Sequence, residues 1–200
     1  MDSLRAYNDW ANAAWADIEP DFALSGAPIT RIDSVEDLLA AMFRRGEWRG
    51  QAQRAGFTGF PDTDFVHWVR LTAAPYDPLW VELCPAVYAA DVAAWPGVPR
   101  EDEWAKSRFP HHTGCPFGWG RGVAAFLGRP WIDPMDDLME ELPASYAAWQ
   151  VLVNEVGGET LYQWKRADGS AIEMPIGAIA LHVGLHGAYH RGEITAWNGV

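Results

Sequence analysis

The chain has 200 residues, 49% of them hydrophobic, enough to bury a substantial core in one domain. Its formal net charge of -12, with no Lys/Arg block to offset it, opposes contact with phosphate backbones, so nucleic acid is not an expected partner. The two cysteines, Cys84 and Cys115, form no CxxC pair, no charged-then-apolar leader opens the chain, and no run of about 18 uncharged apolar residues occurs; a soluble, cytoplasmic protein with reduced thiols and no membrane partner is expected.

Leu4, Tyr7, Ala11, Ala14, Trp15 and Ile18 recur at helical spacing and predict a first helix over 3–18, stopped by Pro20. In "DSVEDLLAAMF", Ser34 reads as an N-cap with Asp37 three residues on, and Val35, Leu38, Leu39 and Met42 form an apolar stripe. This second helix is expected to run to about Gln53. Ten of the fourteen prolines fall between Phe57 and Pro134, which predicts an irregular segment holding only short helical pieces such as "AVYAADVAAW" and "GRGVAAFL". A third long helix is predicted over "PASYAAWQVLVNEVGG", with Pro143 in its first turn and Gly157 ending it. "LYQWKRADGSAIEM" reads as a hairpin turning at Asp168-Gly169, after which Pro175 opens a last helix, "PIGAIALHVGLHGAYHRGEITAW". The twelve tryptophans read first as packing residues and only second as an aromatic ligand cage.

The last helix carries the chemistry. His182, His186 and His190 are four residues apart and share a face with Ile179 and Val183, so they point into the protein. Each sits about 6 Å along the axis from the next, so one neighbouring pair can share an ion. His182 and His190, about 12 Å apart along the axis, cannot both reach one ion from a straight helix. A third protein ligand must come from elsewhere. The competing reading is a set of neutral core histidines, each satisfied by a hydrogen bond.

Three pieces, "LRAYNDWANAAW", "DSVEDLLAAMFRRGEW" and "RADGSAIEMPIGAIALHVGLHGAYHRGEI", resemble in order the first helix, the second helix, and the hairpin plus last helix of the DinB / YfiT-like family of four-helix metalloproteins. They cover a little over half of the chain. The resemblance implies an all-α fold, an up-down-down-up four-helix bundle with a short β-hairpin, occupying 1–200 as a single domain with an insertion at about 57–134. It also implies a divalent metal, zinc or nickel, bound by one histidine of the second helix and two from the HxxxH step of the last, here His186 and His190, with His182 a neighbour. The implied activity is that of a metal-dependent enzyme acting on a small molecule, a thiol-dependent S-transferase with a low-molecular-weight thiol as co-substrate, or a hydrolase. The alternative is a non-catalytic bundle serving as a binding or dimerisation module; a homodimer is admitted in either case.

One departure is plain. Ala41 stands where the family has its second-helix histidine, and no histidine occurs in that helix. Either the site is degenerate, keeping only two histidines with waters or a carboxylate or no ion at all, or a donor outside the last helix completes it: of His67, Cys84, His111, His112 and Cys115, "HHTGC" is the most economical source, a loop over the bundle mouth as ligand and lid together. An HH pair in such a setting also fits a surface turn. Arg191 follows the last ligand in the family's HRG step and is a candidate catalytic residue, its implied role being to bind a carboxylate or brace the helix, with a surface ion pair as the competing reading. Glu193 is a second catalytic candidate, as a metal ligand or an acceptor behind a ligating imidazole, against a merely solvated glutamate. Asp133, Asp136, Asp137, Glu140 and Glu141 lack calcium-loop spacing and read as helix-start charges.

Overall fold

The computed structural model describes residues 1–18, 24–99, 102–165 and 171–199, and the chain is mostly helical with one two-stranded antiparallel hairpin. In chain order the elements are α1 (Asp2–Ala16), α2 (Val35–Arg54), α3 (Phe65–Thr72), α4 (Leu79–Ala94), α5 (Glu103–Thr113), α6 (Cys115–Phe126), α7 (Leu138–Val156), β1 (Leu161–Lys165), β2 (Ala171–Pro175) and α8 (Ile176–Asn198). Among the described residues no helix is long and apolar enough to cross a membrane.

Local chemistry sets the boundaries. Ser34 caps α2 by accepting from the Asp37 amide, and the Asp37 carboxylate accepts from the Ser34 amide, a complete capping box. The third long helix begins five residues before the predicted start, because Asp137 caps it by accepting from the Met139 amide; Pro143 therefore lies inside α7, not in its first turn. Glu141 is buried and accepts from the Met135 amide, so that part of the acidic run does fix a helix start. In the hairpin Leu161 pairs with Pro175 and Lys165 with Ala171; the Asp168-Gly169 turn lies outside the described residues.

The segment 57–134 corrects the expectation of an irregular insertion. It folds into α3, α4, α5 and α6, and supplies Phe65, Trp68, Trp80, Val87, Tyr88 and Val123 to the main core. Its prolines mostly avoid helix interiors: Pro116 sits in the first turn of α6, Pro78 precedes α4, and residues 61, 75, 99, 130 and 134 lie in connections. Pro85 and Pro110 are inside α4 and α5, where the missing amide bond is outweighed by burial of Trp80, Cys84, Val87 and Tyr88 on one helix and of Ala105 and His112 on the other.

α8 is the central element, buried almost throughout. Gly46 of α2 lies against Tyr189 and Gly50 against Glu193, so these two helices advance together and run in the same direction. Tyr7 meets Met42 and Trp15 meets Trp48, which makes α1 and α2 parallel as well. An up-down order would oppose α1 and α2; residues 17–34 are long enough to carry the chain back to the same end, so the expected bundle order is not the one seen. α5 runs opposite to α8, since Trp104 stacks on Trp197 at 4.5 Å while His112 stacks on His190 at 3.4 Å. That antiparallel pairing delivers the last turn of α5 to the middle of α8.

Candidate metal centre

His111 and His112 are the end of a helix, not a loop. Asp102 caps the start of α5, its carboxylate accepting from the amides of Trp104 and Ala105, and Gly114 both ends α5 and begins α6. The turn arrives beside His186 and His190, and the ligand atoms of His111, His112, His186 and His190 all lie within 4.8 Å of one another. The surface-turn reading fails for His112, which is 2% exposed. Neither of its ring nitrogens has a hydrogen-bond partner, and its Nε2 stands 4.0 Å from Glu193 Oε2, too far for a hydrogen bond. A satisfied core histidine would show the reverse, because leaving a buried polar group unpaired costs about 1–3 kcal/mol.

Glu193 is 1% exposed, so the solvated role is excluded. Its Oε2 lies 2.5 Å from His190 Nδ1, and Oε1 is 3.0 Å from Arg49 Nε. The carboxylate thereby orients the imidazole and leaves His190 Nε2 turned to the cluster. Arg191 is engaged elsewhere: it pairs with buried Asp91 of α4, whose other oxygen accepts from Trp95 Nε1 and Tyr146 Oη. It braces α8 against α4 and meets no surface acid. His67 pairs with Asp62 at 3.0 Å, and Cys84 donates to the Trp80 carbonyl, burial pushing its thiol up to about 12. Both cysteines are unpaired.

Asp64, at the start of α3, has no counterpart among the predicted residues; its carboxylate lies 3.7 Å from His186 Nδ1. Burial would raise its pKa, but the neighbouring imidazoles, His186 foremost, pull it well below the usual carboxylate range. A cavity of about 610 Å³ opens between Asp64, His111, Cys115, Trp119, Trp164 and His186. A smaller one of about 310 Å³, lined by Arg49, Phe60, Asp64 and Tyr189, approaches His186 and His190 from the other side. The four-imidazole cluster thus lies between two openings.

No family model, curated protein or solved structure matches the chain. The donor set has to be judged by its own chemistry. Four imidazoles, one with both nitrogens unpartnered and one held by a carboxylate, fit a divalent cation of the zinc or nickel kind better than a hard, oxygen-seeking one.

The cluster also predicts how the metal-free protein responds to acid. Burial, aided by neighbouring imidazoles, holds His112 and His190 far below the ordinary range, lowers His111, and brings His182 down to about 4. Burial also works against charge on His186, but Cys115 and Asp64 outweigh it and raise that ring well above the ordinary range. A depressed group contributes stability above its unfolded value, about 6.5, that is lost as pH falls toward its folded value. His186 acts in the opposite sense, being stabilising below about 6.5. The depressed rings outnumber it, so the melting temperature of chelator-treated protein should fall between about pH 6.5 and 4. A flat or rising profile in that window would contradict neutral rings at His112, His182 and His190.

Proposed function

We propose that the protein is a metal-dependent enzyme acting on a small molecule, a hydrolase or a thiol-dependent transferase, with a divalent ion held by three of His111, His112, His186 and His190 and one position left open. The observation that carries this reading is the convergence of four imidazoles, with His112 buried and unpartnered and with His111 and His186 on the wall of an open cavity. An ion there would lower the pKa of a bound thiol or water enough to make a nucleophile at neutral pH. The chain's own groups have separate tasks. Glu193, held by Arg49, fixes the orientation of His190. Trp119, Tyr162 and Trp164 give the larger cavity an aromatic wall that displaces water from a substrate's apolar part. Asp64, kept ionised, lies where it can accept a hydrogen bond from a substrate donor beside His186.

Kinship with the DinB / YfiT-like family belongs to this proposal. Its support is the HxxxH step on the last long helix, the hairpin before it and the capped helix α2. The second-helix ligand is replaced by a pair from α5, and the helix directions differ from the family's bundle. A second reading has its own support: four imidazoles bound together would close a tetrahedral zinc and leave it structural. Elemental analysis of protein purified without a polyhistidine tag should find at least about one equivalent of zinc or nickel, retained on dialysis. A metal content near zero, unchanged after incubation with zinc, would remove the enzyme reading and the structural one alike. Hydrolytic and thiol-transfer assays on loaded against chelated protein then separate the two.

A further inference from the structure

His186 belongs to two donor groups. Besides the four imidazoles, Cys115 Sγ and the ring nitrogens of His182 and His186 lie within 4.8 Å of one another. The first group does not need His186, since His111, His112 and His190 already make three ligands, the number that leaves an ion one open position. His186 Nδ1 is buried, has no hydrogen-bond partner, and faces Asp64 across 3.7 Å at the mouth of the larger cavity.

We propose that Cys115, His182 and His186 form a second metal position, bearing a thiolate, on the cavity side of the four-histidine cluster. The chain then holds two ions, one on His111, His112 and His190 and one on Cys115, His182 and His186, each with a position open. The inference builds on the metal reading given above. The fold prepares this second set: Cys115 is the first residue of α6, fixed there by Gly114 and by Trp149 Nε1 donating to the Pro116 carbonyl, while Trp119 of the same helix packs edge-on to His182 at 6.1 Å. His182 is 3% exposed and one helical turn from His186, a spacing at which two imidazoles can share an ion. A Cys-His-His set is softer than an all-imidazole one and favours zinc over magnesium, calcium or manganese. Cys115, His182 and His186 all line the larger cavity, so a substrate held there lies beside the thiolate position.

Cobalt(II) is the probe, because thiolate ligation gives a near-ultraviolet charge-transfer band that imidazole ligation does not. Chelator-treated protein titrated with cobalt should bind about two equivalents, one of them with the thiolate band. Cys115→Ser should remove the band and about one equivalent, and His182→Asn should weaken that same component. His112→Ala should remove the other equivalent and keep the band. Circular dichroism on each variant checks the fold. Binding of a single equivalent without the band overturns the second position and leaves the four-histidine reading standing; no binding at all overturns both. One equivalent whose band is lost equally in Cys115→Ser and His112→Ala means one mixed site, which also overturns the proposal.

Discussion

Replacing His112 with alanine should weaken zinc binding at the imidazole position by at least about tenfold while leaving the metal-free protein within a few degrees of the parent melting temperature. The two halves of this expectation come from one observation. His112 is 2% exposed and neither of its ring nitrogens has a hydrogen-bond partner. Deleting the ring opens a void but also removes an unsatisfied buried group, and each effect is worth about 1–3 kcal/mol with opposite sign. With metal the balance changes, because an ion that binds only the folded state stabilises it by about 4 kcal/mol at a thousandfold excess over its dissociation constant. For a chain of this size that is roughly 10 °C in melting temperature. His112→Ala should forfeit the share supplied by the imidazole position. What remains, the share of the thiolate position, should disappear when Cys115→Ser is added. Thermal melts with and without zinc give the answer, and equal zinc-induced shifts in the parent and His112→Ala would rule His112 out as a ligand. His190→Ala should lose metal in the same way, but with a further cost in the metal-free state, because Glu193 is left beside Arg49 without its imidazole partner.

How much of this was legible in the sequence differs from element to element, and the reasons are physical. The capping box at Ser34 and Asp37 is a local device, complete within four residues, so it can be read without knowing the rest of the fold. The histidine stripe of α8 is legible for a similar reason: helical periodicity alone puts the rings on one face. Which helix supplies the other ligands is different. "HHTGC" looks like a turn because Pro110 precedes it and Gly114 lies within it, yet the chain continues helical through Pro110 and uses Gly114 only to change direction. The decision is made by packing of Trp104 on Trp197 and of Phe109 on Trp95, contacts between residues distant in sequence or placed by the intervening chain. Asp64 gave no signal at all. It is one acid in "FPDTDF", and only the docking of α3 against α8 puts it near His186. The direction of α1 relative to α2 was equally hidden, since a connection as long as 17–34 permits either sense. One signal was present and went unread: in "GEWRG" the two glycines are four apart and therefore on one face of α2, the spacing that lets two helix backbones approach closely.

Gly46→Ala should be among the most damaging single changes in the chain, costing on the order of 3 kcal/mol or more, and it should take metal binding with it. A methyl group at residue 46 would overlap the Tyr189 carbonyl oxygen and come within 2.9 Å of the Glu193 amide nitrogen. Gly192, facing back from α8, would likewise drive a methyl into the Phe43 carbonyl. These obstacles are backbone atoms, so no rotamer change relieves them and α2 must move away from α8. The turn of α8 pushed by such a movement, Tyr189 to Glu193, holds His190 and the carboxylate that orients it. A displacement of about 1 Å there exceeds the roughly 0.2 Å tolerance of metal–ligand bonds near 2 Å. Metal affinity should therefore fall even if the chain still folds. Gly97→Ala is the control, because a methyl there meets nothing within 4 Å, and its effect should stay within about 0.5 kcal/mol. Urea unfolding of both variants, followed by zinc titration of whatever remains folded, tests the close approach and its link to the site in one series. If Gly46→Ala unfolds at the parent midpoint, the backbones of α2 and α8 are not in contact at residue 46. If it is destabilised but binds zinc as the parent does, the contact is real and the metal position does not depend on it.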